Sequence, residues 1–346
     1  MNPLNPLHTS GRFGPRLHTL LRNTWPLLGA AALLLASFLH PHWPGQQDLV
    51  EHVVVLDITE SMNTLDMFDP LTAVTPVSRL RYAQRTLALA LPQLPCGSRL
   101  GWAVFTEHRS YLLTLPVEVC VHRQELLRSL SFIDRRMAWS GNSEVAKGLH
   151  SGLRFAQLIP SKPSLVFITD GHEAPPLDAR YRPGHDLKIA DLKGLVVGVG
   201  GTTLQPIPKT DPQGRPIGRW RADDVQQTSP RSRARATGVD NEPDAALELS
   251  SALGNTPGSE HLSSLREPYL QLLASELGLA YHRLATVPEL LQALQAPALT
   301  RPVGVQRDGR WLLAAAALAL LLWPYARAWF GRWRQPRSVP SRMTAQ

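Results

Sequence analysis

The chain has 346 residues, with 36 Lys and Arg against 28 Asp and Glu, for a formal charge of +8. Much of the excess lies in the two tails and in Arg231-Ser232-Arg233-Ala234-Arg235, which argues against nucleic-acid binding and for membrane topology plus a solvated loop. The length can bury one large core with a small appendage.

An apolar run over 25–39 follows a basic, acid-free amino terminus carrying Arg12, Arg16 and Arg22; a second run over 311–326 precedes Arg327, Arg332, Arg334 and Arg337. Each is shorter than the roughly 20 residues of an average span, but edge tryptophans and snorkelling arginines extend both. No small-x-small site follows Phe38, against a cleaved leader, and the Ala/Leu-only second run has no polar face for a surface helix. Transmembrane helices are therefore predicted over 24–43 and 310–328, with basic cytoplasmic tails at 1–23 and 329–346. The positive-inside rule puts the domain between them on the far face, which in a Gram-negative inner membrane is the periplasm.

Within that domain, Val53-Val54-Val55-Leu56 reads as a central parallel strand covered on both faces. It runs into Asp57-Ile58-Thr59-Glu60-Ser61, whose oxygens at i, i+2 and i+4 can turn inward together. A helix is predicted over 78–94, an extended pair over 99–107 and 111–119, and helices near 123–132 and 144–158. Strands follow over 164–169 and 194–199, then a helix over 267–277, a strand over 280–284 and a helix over 287–295. Helices alternating with apolar strands imply an α/β fold, a doubly wound, mostly parallel sheet with one antiparallel edge hairpin. Residues 201–262 are an insertion rich in Pro, Gly, Ser and Arg, read as a β-hairpin followed by a mobile loop over about 229–260.

Three segments carry the chemistry. Asp57, Thr59 and Ser61 end the first strand; Ser140-Gly141-Asn142-Ser143 precedes a helix; Leu165-Val166-Phe167-Ile168-Thr169-Asp170-Gly171 brings a second carboxylate to the same sheet edge. Oxygen donors without sulfur or imidazole select a hard divalent cation, Mg²⁺ foremost, with Ca²⁺ or Mn²⁺ as alternatives. This set resembles the metal-ion-dependent adhesion site of von Willebrand factor type A (VWA) domains, with Thr59 in place of a Ser and Ser143 in place of the Thr. Ser143 is preferred to Ser140 because Gly148 and Leu149 then fall at the family's small-residue and Leu positions. The resemblance implies a metal held by Asp57, Thr59, Ser61, Ser143 and Asp170, with a vacancy filled by a protein partner's acidic side chain. Ser140, His172 and Glu173 are placed at the rim, able to contact that partner, whereas Glu60, Asp66 and Asp69 are read as solvated loop charges.

Gly198-Val199-Gly200, Pro206-Ile207-Pro208 and Gln213-Gly214-Arg215-Pro216 resemble a segment of bacterial membrane VWA proteins of the Bat and MoxR-associated type. Leu56 through Asn63, Leu94-Pro95-Cys96-Gly97-Ser98 and Met137-Ala138-Trp139 resemble the MxaL-like group encoded with methanol-oxidation genes. These resemblances imply an assembly or maturation factor for a periplasmic metalloenzyme such as methanol dehydrogenase, with other VWA membrane proteins and a MoxR-type ATPase as partners. That ATPase would be cytoplasmic, across the bilayer from the metal site. A competing reading is a haloacid-dehalogenase-like phosphotransferase with Asp57 as nucleophile, but the Asp-x-Asp-x-Thr pattern needs an acid where Thr59 stands. A third is a membrane scaffold with an empty site. The histidines show no H-E-x-x-H spacing. Cys96 and Cys120 are either a bridge, closing a loop of about 25 residues and contributing roughly 3 kcal/mol, or two unrelated thiols.

Overall fold

The computed structural model describes residues 15–39, 41–177, 193–227, 256 and 258–333. It opens with helix α1 (Pro15–Ser37) and strands β1 (His42–Asp57), β2 (Met67–Phe68) and β3 (Pro76–Val77), followed by α2 (Arg79–Ala90). Strands β4 (Arg99–Thr106), β5 (Arg109–Leu112) and β6 (Val117–Glu118) lead to α3 (Arg123–Phe132) and α4 (Val145–Leu158). Next come β7 (Ser164–Thr169), β8 (Gly194–Gly198), and the short β9 (Gln205–Pro206), β10 (Pro208–Thr210), β11 (Pro216–Arg219) and β12 (Leu262–Ser263). The chain closes with α5 (Glu267–Glu276), β13 (Ala280–Arg283), α6 (Val287–Leu294), β14 (Thr300–Asp308) and α7 (Arg310–Trp333). By contact these elements divide into two units, residues 48–303 and the flanking 1–47 with 304–346.

The larger unit is built on a sheet of order β13-β8-β7-β1-β4-β5. Neighbours are parallel except β5, which returns antiparallel along β4, as does β6. Residues 53–56 are fully buried because their side chains feed two different cores, as a strand covered on both faces requires. Val53 and Val55 pack with α4 and α5 on one face, whereas Val54 and Leu56 pack with α2, α3 and α6 on the other. Helix starts use side-chain caps: Ser78 accepts the Arg81 amide and Thr286 the Glu289 amide.

Register sets the site. Leu56 is level with Ile168 on one side and Asp57 with Phe105 on the other, so β1 and β7 end side by side and their terminal loops emerge at one edge. Gly148 exists for a packing reason: a Cβ there would overlap the Phe105 ring, so only glycine lets α4 lie against β4. The extended pair differs from expectation at its second arm. The regular ladder is broken after Leu112, where the Leu113 and Thr114 amides both donate to the Trp102 carbonyl of β4, and β6 resumes beyond Pro116. The insertion's β10–β11 hairpin is present, whereas residues 228–255, which hold most of the loop expected over 229–260 and its arginine run, lie outside the described residues. Cys96 and Cys120 are joined in a disulfide with Cα atoms 5.3 Å apart.

In the smaller unit α1 and α7 lie side by side. A Cβ on Gly29 would sit 3.1 Å from a Leu320 methyl, and Ala30 and Ala317 are buried. Leu27, Leu28, Leu35, Leu318 and Leu322 remain exposed. Among the described residues no helix is long and apolar enough to cross a membrane. The first helix also stops short of the span predicted over 24–43, since His42 and Trp43 already belong to β1. Residues 15–23, expected in the basic tail, are helical; 1–14 and 334–346 are outside the described residues.

Two stability outcomes follow. Gly148→Ala should cost about 2 kcal/mol or more in denaturant unfolding because the overlap is with a buried ring, while Gly141→Ala, with nothing within 4 Å of the added atom, should be nearly neutral. Replacing both cysteines by Ser should cost roughly 3 kcal/mol, and a reducing agent should reproduce that loss in the unaltered chain.

Candidate functional site

At the end of β1 the backbone turns so that the Asp57 carboxylate caps its own loop. Its Oδ1 accepts the Thr59 amide at 2.9 Å and the Thr59 hydroxyl at 2.7 Å, and its Oδ2 accepts the Thr169 hydroxyl at 2.6 Å. The Thr59 and Ser61 hydroxyl oxygens lie 3.4 Å apart. Ser143 reaches the same place from the loop before α4, where its backbone exchanges two hydrogen bonds with Ala174. Its Oγ is buried and has no hydrogen-bond partner. Thr59, Ser61 and Ser143 thus line one cleft of about 530 Å³, with Asp57 fully buried beneath.

Charge is the unusual quantity here. Burial first, and then the neighbouring Asp170, raise the pKa of Asp57 to about 7 against the opposing hydrogen bonds of Thr169 and Thr59, all from neutral donors. A buried carboxylate without a counter-charge is costly. Neutral oxygens lining one cleft beside a buried carboxylate form a donor set suited to a hard divalent cation, which would also give the Ser143 hydroxyl the partner it lacks among the described residues.

Asp170 is different. Its Oδ1 accepts the His172 amide at 2.9 Å, while its Oδ2 takes Arg79 Nη1 at 2.5 Å and the Ser263 hydroxyl at 3.2 Å. Arg79 and Asp170 are both wholly buried. The same guanidinium forks onto Asp66 through Nε and Nη2, at 3.0 and 2.6 Å, and donates to the Ser263 carbonyl. Gly200, at φ +133°, lies so close that a Cβ would come within 2.8 Å of Nε. The reading of three acids as solvated loop charges is therefore corrected: Asp66 is 6% exposed in this ion pair, Asp69 pairs with Arg85, and Glu60 pairs with Arg135 at 2.5 Å. Arg79 was not legible as a site residue, although one signal existed: a basic residue in the first helical turn opposes the helix dipole and needs a local carboxylate to justify it.

The expected rim also changes. His172 and Glu173 border the cleft but are 4% and 3% exposed and already engaged. His172 Nδ1 meets Arg266 at 3.1 Å, and burial, then Arg266 and Arg79, hold the ring's pKa well below its usual range, so it is neutral. Glu173 Oε1 accepts both the Tyr269 hydroxyl at 2.5 Å and the Ala146 amide at 3.1 Å. Ser140 is half-exposed, accepts the Asn142 amide, and is not part of the cleft lining. The walls come instead from the insertion, through Ile207, Trp220 and Val225, and from Pro175 and Pro176. Trp220 and Thr210 both donate to Glu60, tying that insertion to the residue between Thr59 and Ser61.

Neither a family model nor a curated protein sequence matches the chain. Solved structures do match. An aerotolerance-related membrane protein from Bacteroides fragilis NCTC 9343 and the conserved hypothetical protein BatB from Bacteroides thetaiotaomicron are each 17% identical to this chain. Each alignment covers 71% of it and 96% or 95% of theirs, at a TM-score of 0.44. An uncharacterized membrane spanning protein from Vibrio fischeri is 18% identical, over 70% of this chain and 96% of its own, at a TM-score of 0.26. At these values the mostly parallel α/β fold rests on the strand order and registers given above.

Glu173 yields a pH test. Burial raises its pKa from 4.5 to about 7, against the hydrogen bonds from Tyr269 and Ala146. The folded state thus binds more protons than the unfolded one between those values, and stability falls as pH rises through that window. A glutamine carbonyl can accept both hydrogen bonds without the charge. Glu173→Gln should therefore stabilise the protein by about 3 kcal/mol at about pH 8, with the gain vanishing near pH 4, in chemical denaturation across pH.

Proposed function

We propose that this chain is a non-catalytic binding module of the VWA type, which holds a divalent cation on Thr59, Ser61 and Ser143 above Asp57 and offers a remaining coordination position to a protein partner's carboxylate. The observation that carries the reading is the buried Ser143 hydroxyl, without a hydrogen-bond partner among the described residues, on a residue that lines the same cleft as Thr59 and Ser61, where Asp57 is hydrogen-bonded by neutral donors only. Three neutral oxygens and one carboxylate leave a divalent ion short of neutral, so an incoming carboxylate completes both its charge and its coordination. Mg²⁺ suits the small hydroxyl cluster best, with Ca²⁺ or Mn²⁺ as substitutes.

Catalysis by Asp57 is disfavoured by its position: it lies beneath the cleft, fully buried, with both oxygens accepting hydrogen bonds. The residue that would serve as general acid in a phosphotransferase is Thr59, whose hydroxyl donates to Asp57. A scaffold with an empty site gives no reason to bury an unpartnered hydroxyl. A protein partner is supported by the segment after the first metal loop, which exposes Leu65, Phe68, Leu71 and Val74.

Membrane attachment through α1 and α7 belongs to the same reading. It is supported by the outward leucines of that helix pair and by the arginines flanking its apolar runs. On that topology the cleft faces the periplasm of an inner-membrane protein. A role in assembling a periplasmic metalloenzyme, as in methanol oxidation, rests on the sequence motifs alone, as does any link to other VWA membrane proteins or a MoxR-type ATPase.

Isothermal titration of the full chain with Mg²⁺ should show one site, and Ser143→Ala should weaken it at least about tenfold. At a hundredfold excess over Kd, Mg²⁺ should stabilise the fold by about 2.7 kcal/mol. Crosslinking in intact membranes should capture a partner that is lost on chelation and in Asp57→Ala. Recovery that EDTA leaves unchanged would falsify the metal-dependent contact.

A further inference from the structure

The two strand-end carboxylates are chemically alike and adjacent, yet the protein has spent a cation on one of them. Arg79 Nη1 lies 2.5 Å from Asp170 Oδ2, with neither side chain reaching solvent, and the remaining Arg79 donors are used on Asp66 and Ser263. Asp57, by contrast, is surrounded by neutral donors only. Ser263, at the carboxyl-terminal end of the insertion, clasps the Arg79–Asp170 pair, since its hydroxyl bridges Nη1 at 2.6 Å and Oδ2 at 3.2 Å. The amide of Gly201 donates to Asp66 from the other end of the same insertion. The guanidinium is therefore held by five acceptor atoms of three residues, Asp66, Asp170 and Ser263, and moving Asp170 onto an ion would strip a buried arginine of half its charge compensation.

We infer that Arg79 is a resident cation that withholds Asp170 from the metal, so that of the two strand-end carboxylates Asp57 alone balances the ion and the partner's acid supplies the second. This rests on the metal-binding reading above and narrows it. A divalent ion facing one carboxylate keeps a net positive charge, so ion and acidic partner bind cooperatively, each weakly without the other. Arg79 acts here as a positioning residue: it touches neither ion nor partner, and works by what it takes away.

The test is calorimetric titration of Mg²⁺ into the full chain and its variants, with thermal melts to confirm folding and with acetate as the probe carboxylate. Asp57→Asn should weaken Mg²⁺ binding thirtyfold or more, whereas Asp170→Asn should change it less than threefold. Equal losses in the two variants overturn the inference. If Asp170→Asn does not fold, Arg79→Lys decides: its single ammonium cannot fork onto both Asp66 and Asp170, so a freed Asp170 oxygen should tighten Mg²⁺ at least fivefold, and unchanged or weaker binding overturns the inference. Acetate at saturating concentration should tighten Mg²⁺ at least threefold in the unaltered chain and less in Arg79→Lys; no effect of acetate on the unaltered chain also counts against it. A chain that binds no Mg²⁺ at all would instead remove the metal reading itself, a result distinguishable from each of these.

Discussion

Everything at this sheet edge answers to one electrostatic constraint: two adjacent parallel strands each end in an aspartate, and both carboxylates are buried. Like charges so placed raise each other's cost of ionisation, and burial multiplies it. The protein resolves half of the problem internally with Arg79, whose own burial is tolerated only because Asp66, Asp170 and Ser263 satisfy its donors. Asp57 receives hydrogen bonds from neutral donors only. The asymmetry between the two aspartates, invisible in the motif, is what the proposed cation would offset at Asp57.

Much of the fold was readable from residue patterns because those patterns record burial on two faces. The β-branched run at 53–56 announces a central strand, and the alternation of apolar strands with helical periodicities announces a parallel sheet. The loops bearing Asp57 and Asp170 fall at one edge by the same logic, since strand ends in such sheets share an edge, whereas Ser143 joins them only through its place ahead of a helix and the VWA resemblance. What the patterns could not report was which charged side chains are buried. Glu60, Asp66 and Asp69 sit in a polar loop that looks solvated, and their burial depends on Arg135, Arg79 and Arg85, each far enough along the chain that only tertiary structure pairs them. His172 and Glu173 show the same failure in reverse: adjacency to the Asp-Gly turn suggested exposure, whereas packing against Arg266 and Tyr269 draws them inside.

The Asp-Gly pair itself has a steric explanation. Gly171 adopts φ +78°, and a Cβ there would press to 3.0 Å on Leu270 of α5, so glycine is needed both for the backbone turn and for the approach of that helix. Helix α5 in turn supplies Tyr269, so the turn that aims Asp170 and the hydrogen bond that anchors Glu173 depend on the same close packing.

Glu60 occupies the position between Thr59 and Ser61, where the proposed motif asks only for a side chain that points away from their hydroxyls. Here that outward carboxylate is a mooring post: Arg135 from the segment before α4, and Thr210 and Trp220 from the hairpin of the insertion, are all fastened to it. The hairpin is thus tied through Glu60 to the loop that carries Thr59 and Ser61, without itself bonding to either hydroxyl.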